Sequence, residues 1–202
     1  MTTSGRSNLI LAVDTAGEHG SIALARDGEL IEHVELEAPA GFSGILYGEL
    51  GGLLGRHSVA CRDIACFAAA SGPGSFTGVR VGLACVKGLA QAVGRPAVAV
   101  SNLQALARCG TGELRAPVID ARRGEIYGAV YDSKGALVSD EVVAPMEAWL
   151  QTIPKGAGLI SRDRIALAPA VAAIAYERLL RGEALDPAAL DANYVRRPDV
   201  RG

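Results

Sequence analysis

Apolar and polar positions along the chain switch repeatedly between a strand-like and a helix-like pattern. NLILAVDTA, from Asn8 to Ala16, is a short continuous apolar run closed by Asp14, which reads as a buried strand. SIALARDGELIEHVELE, from Ser21 to Glu37, reads as a hairpin that turns at Asp27-Gly28. Ser43 to Arg56 reads as a helix, DIACFAAAS (Asp63 to Ser71) as a second buried strand, and Phe76 to Val93 as a helix stopped by Gly94-Arg95-Pro96. PAVAVS, from Pro96 to Ser101, reads as a further strand.

The same order then begins again. RAPVIDARRGEIYGAVYDSKGALVSDEVV, from Arg115, repeats the sense of LILAVDTAGEHGSIALARDGELIEHVELE, from Leu9. In each copy an apolar strand ends in Asp, a polar turn follows, and two more strands come after. Asp14 and Asp120 are the matching positions. A repeat this long suggests a duplicated β-β-β-α unit rather than a solenoid. The remainder is thin: a short helix over Pro145 to Gln151, a short strand over Gly158 to Ile160 and a last helix over Pro169 to Arg181. SNLQALARCGTGELRA, from Ser101, is the expected junction between lobes 1–101 and 102–202. The expected fold class is α/β, a duplicated two-lobed actin-like (ASKHA, ribonuclease H-like) fold with an abridged second lobe. In that layout paired strand-end turns face a cleft where backbone N–H groups meet phosphate and carboxylates hold Mg²⁺ through water. Asp14, Thr15, Asp120 and Arg122 are the candidate nucleotide or phosphate contacts. Capping of local turns is an equal alternative for the two aspartates.

SGPGSFTGVRVG, from Ser71 to Gly82, poses the sharpest question about phosphate. A Walker A loop needs GxxxxGK[ST], and here Val79-Arg80 follow Gly78. A dinucleotide loop needs GxGxxG, and this stretch reads GxGxxxG. Neither fits, although Ser75 or Thr77 suits a helix N-cap. On a helical wheel Gly78, Gly82, Cys85 and Leu89 form one stripe, while Arg80, Ala84, Lys87 and Gln91 lie opposite. The preferred reading turns the glycine stripe onto the protein's own sheet. The preceding helix shows the reverse. Leu46, Leu50 and Leu53 make a core face, and Gly44, Gly48, Gly51 and Gly55 line the other. Such a row lets a second helix approach closely, either a neighbour or another chain. A poor helix or a loop is the plainer alternative.

Composition narrows the classes. With 202 residues and a net charge of −2, the chain supports a substantial core and shows no basic block, so direct tight RNA binding is not expected. The opening MTTSGRSNLILAVD is too short in apolar length for a signal peptide or membrane span, and a cytoplasmic protein is expected. Cys61, Cys66, Cys85 and Cys109 form no CxxC pair and read as free buried thiols. His19, His33 and His57 lack metal-ligand spacing, so no metal site is expected. Arg122 and Arg123, and Arg196, Arg197 and Arg201 near the end, suit RNA or partner contacts but read first as solvated side chains.

LAVDTAGEHGSIAL, SGPGSFTGVRVGLACVKGLA, VSNLQALA and PVIDARRGEIYGAVYD occur in this order and resemble the TsaB family, once called YeaZ. NYVRRP, from Asn193 to Pro198, resembles that family's closing Tyr-Leu-Arg element more loosely. The resemblance implies the two-lobed actin-like fold and a non-catalytic partner subunit of TsaD, which transfers a threonylcarbamoyl group to an adenosine in the tRNA anticodon loop. TsaD carries an HxxxH metal pair on its first-lobe helix; GFSGILYGELGGLL stands there in this chain, with no His. The implied partners are a TsaD-like catalytic subunit, a TsaE-like ATPase, a second copy when alone, and tRNA indirectly through the complex; no membrane is implied. The implied cofactor state is none of its own, with ATP or ADP and Mg at the complex. The implied interface uses the two helices already singled out, with Ser43, Gly44, Tyr47, Gly48, Gly51, Gly55, Phe76, Thr77, Arg80, Ala84 and Lys87 as its candidates. Where the family usually shows His-Ser-Glu at the start of the first helix, this chain has Phe42, Ser43 and Gly44.

Two other functions compete. An independent nucleotide-dependent phosphotransferase or ATPase would use Asp14 or Asp120 for Mg²⁺, but lacks a phosphate signature. A peptidase would need a Ser-His-Asp or HExxH set that the chain does not show.

Overall fold

The computed structural model describes residues 7–195, so Arg196, Arg197, Arg201 and the second half of the NYVRRP element lie outside the described residues. The first half forms a five-stranded sheet from β1 (Leu9–Asp14), β2 (His19–Arg26), β3 (Glu29–Glu37), β4 (Ile64–Ala70) and β5 (Ala97–Val100), in the order β3-β2-β1-β4-β5. β1 is antiparallel to β2 and parallel to β4, which buries it on both sides and explains its unbroken apolar run. Asp27 and Gly28 close the β2–β3 hairpin with φ of 51° and 87°, the paired positive values that a two-residue turn matching strand twist requires.

Helices α1 (Leu46–Arg56) and α2 (Phe76–Val93) cover one face of this sheet. α1 starts later than its sequence pattern suggests. Phe42–Gly44 form a 3₁₀ turn after Gly41, whose φ is 95°, and no side chain caps the helix. Leu46, Leu50 and Leu53 are buried, each contributing about 1.5–3 kcal/mol of transfer free energy. α2 has the expected bounds: Ser75 caps it by accepting from the Gly78 N–H at 3.2 Å, and Gly94 ends it in the left-handed conformation.

The second sheet has β6 (Leu114–Arg122), β7 (Glu125–Asp132), β8 (Leu137–Pro145) and β9 (Gly158–Ser161), in the order β8-β7-β6-β9. β6 is antiparallel to β7 and parallel to β9, as β1 is to β2 and β4. The short helix α4 (Met146–Leu150) covers its outer face through buried Trp149, which lies so close over Gly128 that a Cβ there would sit 2.7 Å from the indole.

Two helices cross between the halves. α3 (Asn102–Arg108) packs on β6 and β7, and α5 (Ala168–Leu180) packs on β1, β2 and β4. One apolar cluster therefore joins Ile10 and Ala12 of the first sheet to Ile119 and Tyr131 of the second through Leu103, Leu106 and Val171. By position, α5 mirrors α3. Residues 162–167 alone link β9 to α5, so the described second half has no counterpart of α2 and β5. This is the duplicated, two-lobed actin-like fold with its second lobe shortened.

Candidate partner surface and inter-lobe cleft

The outer face of α1 is bare. A Cβ added at Gly44, Gly48, Gly51 or Gly55 would meet nothing within 4 Å, so the glycine row is not packed on a neighbouring helix. Ser43 and Gly44 lie exposed on the 3₁₀ turn, and Tyr47 is 60 % exposed beside the row. Tyr47 also reaches the Cys85 thiol of α2; the charge of that thiol's ionised form, with burial, raises the phenol pKa.

α2 divides as its wheel predicts. Gly78, Gly82 and Cys85 are buried, while Phe76, Thr77, Arg80 and Ala84 are exposed. The buried glycines answer the question that SGPGSFTGVRVG raises. A Cβ at Gly78 would stand 1.9 Å from the Thr15 carbonyl oxygen, and one at Gly74 would stand 2.3 Å from that of Ala16. The stretch lets the start of α2 close onto the turn after β1. The Thr15 hydroxyl donates to the Gly78 carbonyl at 2.7 Å, and the Ser75 N–H donates to the Ala16 carbonyl at 2.8 Å.

A residue the interface candidates missed completes the exposed end of α2. Tyr194 packs against Phe76 with ring centroids 5.9 Å apart. The Arg80 guanidinium lies 3.6 Å over the Phe76 ring and donates from Nε to the Tyr194 hydroxyl at 3.3 Å. Lys87 is half-buried, with Nζ 3.5 Å from the Ala188 carbonyl. Arg80 and Lys87 are thus engaged with the returning C-terminal segment. That segment is held by Asn193, whose N–H donates to the Ser71 carbonyl at 2.7 Å and whose Nδ2 donates to Glu141 at 2.6 Å. Glu141 also accepts from Tyr131 and Ser101. Burial first, and then the Glu141 charge, push the Tyr131 phenol well above the usual tyrosine range. Only the local likeness of NYVRRP to a family element pointed toward Tyr194.

The cleft candidates separate. Asp14 and Thr15 are buried, whereas Asp120 and Arg122 are exposed. Both aspartates organise their turns: Asp14 Oδ1 accepts from the Ala16 N–H at 3.0 Å, and Asp120 Oδ1 from the Arg122 N–H at 2.7 Å. Arg122 meets Glu18 at 3.1 Å, so the two turns touch across the halves. The remaining oxygen of Asp14 pairs with Arg162 at 2.6 Å. No His, Cys, Asp or Glu group suited to a metal occurs among the described residues. With one carboxylate oxygen on the backbone and the other on a guanidinium, Asp14 does not fit the Mg²⁺ role the fold class suggests. All four cysteines are free as expected, but Cys109 is exposed and Cys61 half-buried; only Cys66 and Cys85 sit in the core.

The family model described as TsaD: tRNA N6-adenosine threonylcarbamoyltransferase matches residues 43–177. The tRNA threonylcarbamoyladenosine biosynthesis protein TsaB of Escherichia coli is 33% identical over 190 residues, covering 80% of this chain and 81% of that protein. The chain belongs to the TsaB family. TsaB of Bacillus subtilis is 36% identical over 151 residues, a match that covers 71% of this chain but 65% of that protein, under two thirds of its length. Among solved structures, YeaZ from Pseudomonas aeruginosa superimposes with a TM-score of 0.80 at 27% identity, over 93% of this chain and 99% of that one. No described helix is long and apolar enough to cross a membrane.

Proposed function

We propose that this chain is a non-catalytic partner subunit in the formation of N6-threonylcarbamoyladenosine in the anticodon loop of tRNA. It acts in the cytoplasm as two lobes, 1–101 and 102–202, and engages a TsaD-like catalytic subunit through α1 and α2. The complex draws in a TsaE-like ATPase and meets tRNA through its partners. Alone, the chain forms a homodimer by the same helices. It has no cofactor of its own; ATP or ADP with Mg belongs to the assembled complex.

The observation that carries this reading is the open glycine face of α1, together with the exposure of Tyr47 on α1 and Phe76 on α2. Gly48, Gly51 and Gly55 lie within α1 and weaken it by up to about 1 kcal/mol each relative to alanine. Among the described residues nothing packs on these positions to offset that cost. Close approach of a second helix backbone offsets it, because small residues bring two helices into extensive contact. Membership of the TsaB family supports the same assignment.

The test is light scattering of the chain with and without a TsaD-like protein. A stoichiometric complex is expected from the native chain. Gly48→Leu, which adds bulk to an open position, is expected to weaken the complex at least tenfold without lowering the unfolding midpoint, since leucine is also the better helix former. Full complex formation by that variant removes α1 from the interface. Turnover of ATP by the isolated chain, lost in Asp14→Ala, refutes the non-catalytic reading.

A further inference from the structure

We propose that the Arg162 guanidinium is the resident cation of the inter-lobe cleft. It stands at the Asp14 carboxylate where the fold class would bring a metal-bound phosphate, and it locks the two lobes together. The inference deepens the partner-subunit reading and rests on it only for what the locked lobes present to a partner.

Arg162 directly follows β9 of the second sheet, and Asp14 ends β1 of the first. Their pair at 2.6 Å therefore ties the two sheets across 148 residues of chain. Both partners are withdrawn from solvent: the side chains keep 1% exposure at Asp14 and 11% at Arg162. This differs in kind from the neighbouring Arg122–Glu18 pair, whose side chains are 74% and 80% exposed and which is worth little. The guanidinium also lies against the backbone of Gly17, where a Cβ would come within 3.0 Å of Nη2 and 3.2 Å of Cζ. Gly17 thus gives the planar group room to reach Asp14.

Electrostatics then exclude the ligand that the fold class suggests. A divalent ion at Asp14 would face a fixed positive charge bound to the same carboxylate. Displacing Arg162 would strand a buried guanidinium, whose Nη1 is already buried with no acceptor among the described residues. The same turn holds the partner surface: Asp14 leads into Thr15 and Ala16, which bond the first turn of α2 next to Phe76. Arg162 is therefore a positioning residue for the start of α2 as well as a lock.

A double-mutant cycle on the full chain tests this, using Asp14→Asn, Arg162→Met and the pair, with Arg162→Lys as a milder variant. Breaking one side of a buried pair is expected to raise the unfolding equilibrium constant by about a hundredfold or more. The double variant should be no less stable than the worse single one, which gives a coupling of tenfold or more; Arg162→Lys should fall between native and Arg162→Met. Titration calorimetry with MgATP should give no saturable binding to the native chain at millimolar concentration. Additive single effects, with coupling within about twofold, would overturn the lock. Micromolar MgATP binding that Arg162→Met abolishes would overturn the exclusion and make Arg162 a phosphate ligand. Complex formation by the native chain is measured separately. Strong coupling without any complex upholds the lock while removing the partner-subunit reading.

Discussion

Two glycine-to-alanine changes, chemically identical, should move stability in opposite directions. Gly51 lies in the middle of α1, where an added Cβ meets nothing within 4 Å. Alanine there gains the intrinsic helical preference of about 0.5–1 kcal/mol with no steric cost. Gly78 lies in the first turn of α2, where the added Cβ would stand 1.9 Å from the Thr15 carbonyl oxygen. That oxygen is backbone, fixed by the end of β1, and no rotamer change relieves the overlap. Either α2 lifts from the sheet or the turn after β1 shifts, and both break the 2.7 Å bond from the Thr15 hydroxyl to the Gly78 carbonyl. Overpacking of this type costs about 1–3 kcal/mol, beyond which the lost hydrogen bond adds about 1 kcal/mol.

Thermal unfolding followed by circular dichroism reads both. For a chain of this length about 1 kcal/mol corresponds to about 2–4 °C, so Gly51→Ala should raise Tm by about 1–4 °C and Gly78→Ala should lower it by about 4 °C or more. Urea midpoints must agree in sign, with slopes unchanged. A stable Gly78→Ala protein would mean that α2 does not sit on the turn after β1. Loss of stability in Gly51→Ala would mean that the glycine row is packed within the chain and that α1 offers no open face to a partner.

Two more results follow from the interior. Glu141→Ala removes the carboxylate that accepts from the buried Tyr131 hydroxyl and leaves Asn193 Nδ2 only its longer bond to the Gly72 carbonyl, and should cost about 2 kcal/mol in urea unfolding while increasing protease access to the C-terminal segment. Burial pushes the Cys66 thiol up to about 12 and the Cys85 thiol up to about 11, so both hold their protons more tightly when folded. Stability should therefore fall as pH climbs from the ordinary thiol value of about 8.5 toward those values, and native alkylation at pH 8, read by mass spectrometry, should label exposed Cys109 well before either.

Periodicity made the local plan legible. The strand β1, the hairpin at Asp27-Gly28, the bounds of α2 and the opposite leanings of the two glycine rows all follow from which residues recur on which face. The start of α1 was not legible to the residue, because Ser43 looks like a cap yet caps nothing and the chain takes a 3₁₀ turn instead. The cleft was legible only in part. Asp14 and Asp120 match in the repeat, but burial separates them: one is sealed between the sheets and the other stands in an exposed turn. Arg162 could not be found by pattern at all, since its partner lies 148 residues away and the pairing exists only once the second sheet is built. Tyr194 is a similar case, brought to Phe76 by the path of the C-terminal segment rather than by any local signal.

These features bear on one another through the turn of residues 14–16. In a nucleotide-binding member of this fold class the strand-end turn must stay open to a ligand whose charge changes during the reaction. Here the turn is fixed on both sides: Arg162 fills the carboxylate on one, and Gly74 and Gly78 bring α2 onto the backbone of residues 15–16 on the other. A site clamped in this way cannot open and close around a phosphate without breaking a buried ion pair. It can hold the first turn of α2, with Phe76, Arg80 and Tyr194, in one position. A preformed surface loses less side-chain and segmental freedom on association, so its contacts convert more fully into affinity. The proposed lock, which would close the cleft to a metal-bound nucleotide, would also hold the helical face ready for a partner.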